Sequence, residues 1–392
     1  MPHQRVRFAE KWVKKMASFW PIVGILGLRQ VGKSTLLRDR LKIKNYLTLD
    51  NDDTKLEAQA SPGTFLARNE FHPTVIDEVQ KVPKLFDAIK AYVDRKRRPG
   101  QWYLSGSVAF SEKIGIRESL TGRIGLLHLY PMTLAEITEK EILRFGKTPF
   151  VQGEKCRFPS SAVAKQMTLG GLPVSAFLRD ENVREQYWRS WVETSIFRDA
   201  GKVFGRGFDP ERCDSLVRQL SQALDNGEYP SFAYVTDNKR VAKKYIRALE
   251  SIFFLRRFTV HEKGTGLDHW MFGDSGLAYY LATKKHGEGL MLSMARHFVL
   301  NEIFSLYEYH GKSFPRCYFK SPRGAVIDLV IENTPIRIVH ETISPSKTGW
   351  YERALKGAMQ ALNATRGILV APVDYVHLTQ RGISIVPWSY WS

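Results

Sequence analysis

The sequence predicts an α/β chain in three parts, and three observations carry that reading. A short apolar run at residues 22–26 leads straight into a glycine-rich loop and then a helical stretch. A second apolar run begins at Thr74 and ends in two adjacent carboxylates, Asp77 and Glu78. Further on, helical patterns lead to a basic amphipathic helix, and strands then alternate with helices.

Length and composition fit this class. At roughly 150 residues per domain, a chain of 392 suggests two or three domains. The chain is 43% hydrophobic and 12% aromatic, which excludes a disordered chain, a collagen or a coiled-coil rod. Cys156, Cys213 and Cys317 form no C-x-x-C pair, so neither a disulfide scaffold nor a cysteine zinc site is expected. No apolar run reaches the length of about 18 residues that a membrane helix needs. The charged start lacks the apolar core of a secretory signal, so the expected location is the cytoplasm. The 58 basic residues exceed the 40 acidic ones by 18, which favours a polyanionic partner such as nucleic acid, with an acidic protein or a membrane surface as the alternatives.

The first part, residues 1–140, carries the sharpest motif. Gly27-Leu28-Arg29-Gln30-Val31-Gly32-Lys33-Ser34 matches G-x-x-x-x-G-K-[ST], between a strand and a helix expected at residues 35–42. Gly27 and Gly32 permit a tight loop whose N–H groups wrap phosphate oxygens, and the helix adds the positive end of its dipole. Lys33 is placed to reach the β- and γ-phosphates of ATP, and Ser34 to ligate Mg²⁺. Gly27, Gly32, Lys33, Ser34 and Thr35 are therefore the nucleotide-binding set. Asp77 is expected in the Mg²⁺ shell and Glu78 as the base that polarises water. A third strand at residues 101–104 runs into Ser105-Gly106-Ser107, where a serine at the sheet's carboxyl edge can sense the γ-phosphate. Arg123 precedes a strand at residues 124–129. It is either a finger reaching a neighbouring subunit's nucleotide or one half of a local salt bridge, with Arg117 as a second candidate.

Four segments in order, GLRQVGKSTLL, VIDEVQKVPKLFDAIKAYVD, YLSGS and ESLTGRIGLLHLYPMTLAE, together resemble the prokaryotic AAA+-type predicted ATPases. The resemblance implies a P-loop domain followed by a winged helix and a C-terminal restriction-endonuclease-like domain. It gives Lys33, Ser34, Asp77 and Glu78 the Walker roles, Ser105 or Ser107 the sensor role, and Arg123 the finger role. A finger at Arg123 would place ATP at a subunit interface of a homo-oligomer.

The middle part, residues 141–285, opens with an irregular linker up to about residue 166 and a turn at Gly170-Gly171-Leu172-Pro173. An amphipathic helix follows at residues 181–201, with a stripe of Tyr187, Trp188, Trp191, Ile196 and Phe197 expected in the core. Its Arg198-Asp199 end and the Gly-Gly-Leu-Pro turn are both matched in the resembled family, and a structural role is expected for them. A helix at residues 211–224 precedes a second one at residues 237–249. The second carries Lys239, Arg240, Lys243, Lys244 and Arg247 on the face opposite Val241, Tyr245, Ala248 and Leu249. A strand at residues 253–260 and a Gly264–Gly266 turn complete a winged-helix pattern. The five cations are the candidate nucleic-acid contacts, most naturally to DNA phosphates. The alternative is a solvated helix face on a purely structural lid.

The last part, residues 286–392, begins after a junction, Asp274-Ser275-Gly276-Leu277, that resembles one in the same family. A helix at residues 297–309, strands at 316–320, 326–332 and 336–341, a helix at 353–362 and a strand at 367–371 follow. That order is the one of a restriction-endonuclease-like fold. Glu302, Asp328 and Glu341 occupy acidic positions suited to a nuclease metal. The lysine that should follow Glu341 by two is Ile343, with Lys347 four residues beyond it. A retained fold used for binding or assembly is therefore expected, with an ATP-gated nuclease or a nucleotide-controlled scaffold as the alternatives.

Overall fold

A computed structural model describes residues 5–71, 73–109, 120–141, 150–283, 287–341, 343 and 345–392. Five parallel strands form the first sheet: β1 (Ile22–Leu26), β2 (Asn45–Thr48), β3 (Thr74–Asp77), β4 (Trp102–Gly106) and β5 (Ile124–His128). Their spatial order is β2-β3-β4-β1-β5. All five residues of β1 are buried, as a strand covered on both faces requires. Alternation along it serves two cores. Ile22 and Leu26 face one closed by Phe86 and Ile89 of the helix Lys84–Arg95. Val23 and Ile25 face the core shared with the rest of the chain.

Within the middle part, a single carboxylate joins two distant segments. Asp274 caps the helix Ser275–Leu281, accepting from the N–H groups of Gly276 at 2.7 Å and Leu277 at 3.2 Å. The same side chain accepts from Gly171 at 2.8 Å and Leu172 at 3.1 Å. Gly171 in turn presses on the end of the first sheet: a Cβ there would sit 2.5 Å from the carbonyl oxygen of Met132. The two short motifs at 170–173 and 274–277 are thus halves of one joint.

The helix expected at 181–201 is found as Glu181–Glu193 continued by a wider-wound segment, Thr194–Ala200, and a final turn, Gly201–Phe204. Trp188 and Trp191 are buried, but Phe197 is 53% exposed and does not join the core. The helices Pro210–Asp225 and Lys239–Ser251 then lead to an antiparallel hairpin of β6 (Leu255–Val260) and β7 (His269–Phe272).

The strands β8 (Cys317–Lys320) and β9 (Val326–Ile327) extend this hairpin into a sheet ordered β7-β6-β8-β9. That sheet crosses the boundary expected near residue 285. A third sheet, ordered β10-β11-β12-β14-β13, holds β10 (Leu329–Ile331), β11 (Thr334–Ile338), β12 (Gly367–Ala371), β13 (His377–Leu378) and β14 (Ile383–Pro387). The run expected as one strand at 326–332 is therefore split at Asp328 between two sheets.

The long helix Glu288–Tyr309 ties the parts together and is buried along most of its length. It accepts the N–H groups of His128 through Glu308 at 2.7 Å and of Leu134 through Glu302 at 2.9 Å. Tyr309 accepts from Tyr130 N–H at 3.1 Å. At its other end Ser293 donates to the carbonyl of Leu224 at 3.0 Å.

Candidate functional site

The loop after β1 closes as its glycines require. Gly32 has φ 101°, and a Cβ on Gly27 would lie 2.4 Å from the carbonyl oxygen of Leu129. Lys33 folds back over the loop, donating to the carbonyls of Gly27 at 3.0 Å and Leu28 at 2.9 Å. Burial pulls its ammonium below the usual lysine range, while Glu78 and Asp77 oppose that shift. A buried ammonium resting on loop carbonyls is a cation waiting for a stronger anion. The helical segment after the loop, Thr35–Arg40, is wider-wound and shorter than expected.

Strand register then builds the opposite wall. β3 pairs with β4 so that Asp77 lies beside Ser105. The Ser105 hydroxyl donates to Asp77, and the Tyr46 hydroxyl donates to the carboxylate's other oxygen at 2.6 Å. Burial and the nearby Asp77 push the Tyr46 phenol well above its ordinary value, so it stays a proton donor. One residue on, Glu78 adopts a left-handed backbone, φ 54°, that ends the strand. Its side chain accepts from Ser107 at 3.2 Å and from Gln80. Each serine of the Ser-Gly-Ser run thus serves one of the two carboxylates, the left-handed turn at Glu78 bringing its side chain to Ser107.

A cleft opens in front of Glu78 and Ser107, and its far wall comes from the middle part. Arg198, Asp199 and Lys202 line it together with Arg29 of the loop. Asp199 accepts from Arg198 Nε at 2.9 Å and forms an ion pair with Arg29 Nη1 at 3.5 Å. The indole of Trp191 donates to the carbonyl of Arg29 at 3.4 Å. Tyr46, Arg29 and Lys202 were not legible as site residues. Arg198-Asp199, singled out in the sequence with a structural role expected, lines the cleft.

Residues 20–138 match the family model of an AAA domain. The first part of the chain is an AAA-like P-loop ATPase domain. Uncharacterized proteins of Mycobacterium tuberculosis and Mycobacterium bovis are each 25% identical to this chain over 377 residues, covering 91% of it and 77% of theirs. Among solved structures, the Walker-type ATPase of Pyrococcus abyssi gives a TM-score of 0.41 at 10% identity, covering 70% of this chain and 94% of that one. A STAND protein with a tetratricopeptide-repeat sensor from Pyrococcus horikoshii gives 0.27 at 10% identity, covering 77% and 47%.

Two other sets of expected residues lie apart from the AAA domain's cleft or do not assemble. Arg123 precedes β5, whose first residue, Ile124, pairs with Ile22, so it stands at the opposite end of the strands from the loop. Its guanidinium donates to both oxygens of Asp94, at 2.6 and 2.8 Å, and to the Thr121 carbonyl at 3.0 Å. The local salt bridge is the arrangement found. Arg117 lies outside the described residues.

The acidic set of the last part is not gathered into a nuclease centre. Asp328 is fully buried and neutralised: Arg296 lies 2.6 Å away, Tyr229 donates at 2.9 Å and Ile338 N–H at 2.6 Å. Glu302 faces the AAA domain, where it accepts from Leu134. Glu341 lies beyond the end of β11. Among the described residues, no group of three or more His, Cys, Asp or Glu side chains is placed to hold a metal ion.

The basic helix keeps its cations outward. Lys239, Arg240, Lys243, Lys244 and Arg247 are exposed, and none forms an ion pair among the described residues. Lys243 lies over the Phe232 ring at 6.0 Å and Lys244 over Phe204 at 5.0 Å. Nearby acids are engaged elsewhere: Asp237 with Arg212, Asp268 with Arg257, and Glu250 with the Trp270 indole. No described helix is long and apolar enough to cross a membrane.

Proposed function

We propose that the chain is an ATP-hydrolysing switch that binds nucleic acid, with DNA the favoured polymer. The observation that carries the first half is the convergence of Lys33, Asp77, Glu78, Ser105 and Ser107 at one edge of the sheet. Glu78 takes a proton from water there, and Lys33 leaves its loop carbonyls for phosphate oxygens. Ser34 and Asp77 are hard oxygen donors of the type Mg²⁺ takes, and Tyr46 and Ser105 hold Asp77 in place. When bound there, Mg²⁺ supplies charge neutralisation on the phosphate oxygens.

The nucleic-acid half rests on five exposed cations that form no close ion pair among the described residues, although Glu250 and Asp268 share a groove with three of them. A row of that kind on one helix suits a phosphate backbone. The experiment is ATP hydrolysis by wild type and Lys33→Ala, with and without duplex DNA, together with DNA binding at two salt concentrations. Hydrolysis that survives Lys33→Ala overturns the ATPase reading. Binding that ignores salt overturns the nucleic-acid reading.

A further inference from the structure

We propose that Arg198, from the same chain, is the cation that meets the γ-phosphate during hydrolysis, and that Asp199 holds Arg198 and Arg29 in reserve until nucleotide enters. This rests on the ATPase reading and names the charge that completes its site.

The cleft has two walls. One carries Glu78 and Ser107 from the AAA domain, and the other carries Arg198, Asp199 and Lys202 from the middle part. A γ-phosphate held by Lys33 and attacked by a water at Glu78 occupies the space between them. The cleft's charges do not balance internally. Lys81 is paired with Asp50, and Glu78 is engaged by Ser107 and Gln80. Asp199 is a carboxylate shared by two guanidiniums, Arg29 at 3.5 Å and Arg198 at 2.9 Å, while Glu78 is a second carboxylate on the opposite wall. Lys202 has no ion pair among the described residues. For those two guanidiniums, a triphosphate offers several negative charges against the single one on Asp199. It therefore outcompetes Asp199 for both guanidiniums, whose planar forks suit phosphate oxygens.

During the step itself, the water oxygen bonds to the γ-phosphorus and its proton passes to Glu78. The bond from that phosphorus to the β,γ-bridging oxygen breaks, and its electron pair leaves on ADP. Charge grows on the equatorial and bridging oxygens, where a guanidinium is worth most. Arg123 is at the far end of the sheet and is paired with Asp94, so within one chain Arg198 rather than Arg123 lines the cleft. The Trp191 contact to the Arg29 carbonyl gives the release a route into the middle part. Asp199 losing both partners loosens the same helix from the loop.

The test combines hydrolysis with binding of a fluorescent, non-hydrolysable ATP analogue. Arg198→Ala lowers kcat by about 100-fold, the usual cost of deleting one preorganised donor. Arg198→Lys recovers part of that loss. Arg123→Ala stays within about twofold of wild type, because an exposed pair contributes little. The rate per chain does not change with protein concentration, and Asp199→Asn binds the analogue more tightly than wild type. Arg198 is 47% exposed, so its loss does not threaten folding.

The proposal is overturned if Arg123→Ala is as damaging as Arg198→Ala, or if mixing Arg123→Ala with Lys33→Ala restores hydrolysis, since either result places the cation on a neighbour. It also falls if Asp199→Asn leaves analogue affinity unchanged. Lys33-independent hydrolysis is a different failure, removing the ATPase reading itself.

Discussion

Ser107 donates its hydroxyl proton to Glu78 across 3.2 Å, two residues along the chain from the serine that serves Asp77. The two hydroxyls therefore divide the work. Ser107 holds Glu78, the proposed base, and Ser105 holds Asp77, the proposed Mg²⁺ ligand. Ser107→Ala is expected to lower kcat by about tenfold with analogue affinity nearly unchanged, since it mispositions the base only. Ser105→Ala is expected to raise the Mg²⁺ concentration needed for half-maximal hydrolysis. Steady-state kinetics over a Mg²⁺ titration separate the two.

Asp274 gives a stability prediction. One buried carboxylate accepts four backbone N–H groups from two distant segments. Asp274→Ala leaves all four donors without that acceptor and is expected to cost about 3–5 kcal/mol. Asp274→Asn keeps one carbonyl oxygen and is expected to cost roughly half as much. Urea midpoints read both. A cost for the alanine variant below about 1 kcal/mol would show that the joint is not stabilising.

Much of this was readable from spacing alone. The strand–loop–helix around Lys33, the carboxylate pair after Thr74 and the Ser-Gly-Ser run are local patterns, and each landed at the carboxyl edge of one parallel sheet. What escaped was long-range. Tyr46 sits on a half-buried edge strand with no apolar run to announce it. Asp199 acquires its meaning from Arg29, 170 residues earlier in the chain. The acids of the last part sit at positions suited to a nuclease metal although the lysine is missing, and strand order alone does not reveal that Asp328 is paired with Arg296. Asp328→Ala is accordingly expected to destabilise the fold by about 3–5 kcal/mol by stranding a buried arginine. Incubating wild type with DNA, Mg²⁺ or Mn²⁺ and ATP is expected to yield no Asp328-dependent cleavage.

Glu302 makes stability depend on pH. Burial raises its carboxyl from the ordinary glutamate value to about 8, with the N–H of Leu134 opposing the shift. The folded state therefore keeps a proton that the unfolded state releases. Between about pH 4.5 and 8 the folded form binds the extra proton, so this group's contribution falls as pH rises. It is fully present below the unfolded value and is lost as pH passes through the folded value. The slope is at most about 1.4 kcal/mol per pH unit. Glu302→Gln removes the titration, and the difference in urea stability between wild type and variant is expected to drift in the variant's favour from pH 5 to pH 8. A difference that stays constant over that range would refute it.

The basic helix makes the final prediction, and salt decides it. A protein contacting phosphates releases condensed counterions, so the logarithm of its affinity falls linearly with the logarithm of salt. Lys239, Lys243 and Arg247 line one groove with Arg257 and Trp270, whereas Lys244 leans over Phe204. Replacing the three groove cations by glutamine is expected to weaken duplex binding and to reduce the salt slope by about two to three, one for each phosphate left unneutralised. Lys244→Gln is expected to reduce it by one at most. Far-ultraviolet circular dichroism checks that the helix is kept, because all four side chains are solvent-facing. An unchanged slope in the triple variant would show that the cations are an ordinary solvated face, and the nucleic-acid contact would have to be sought on another surface.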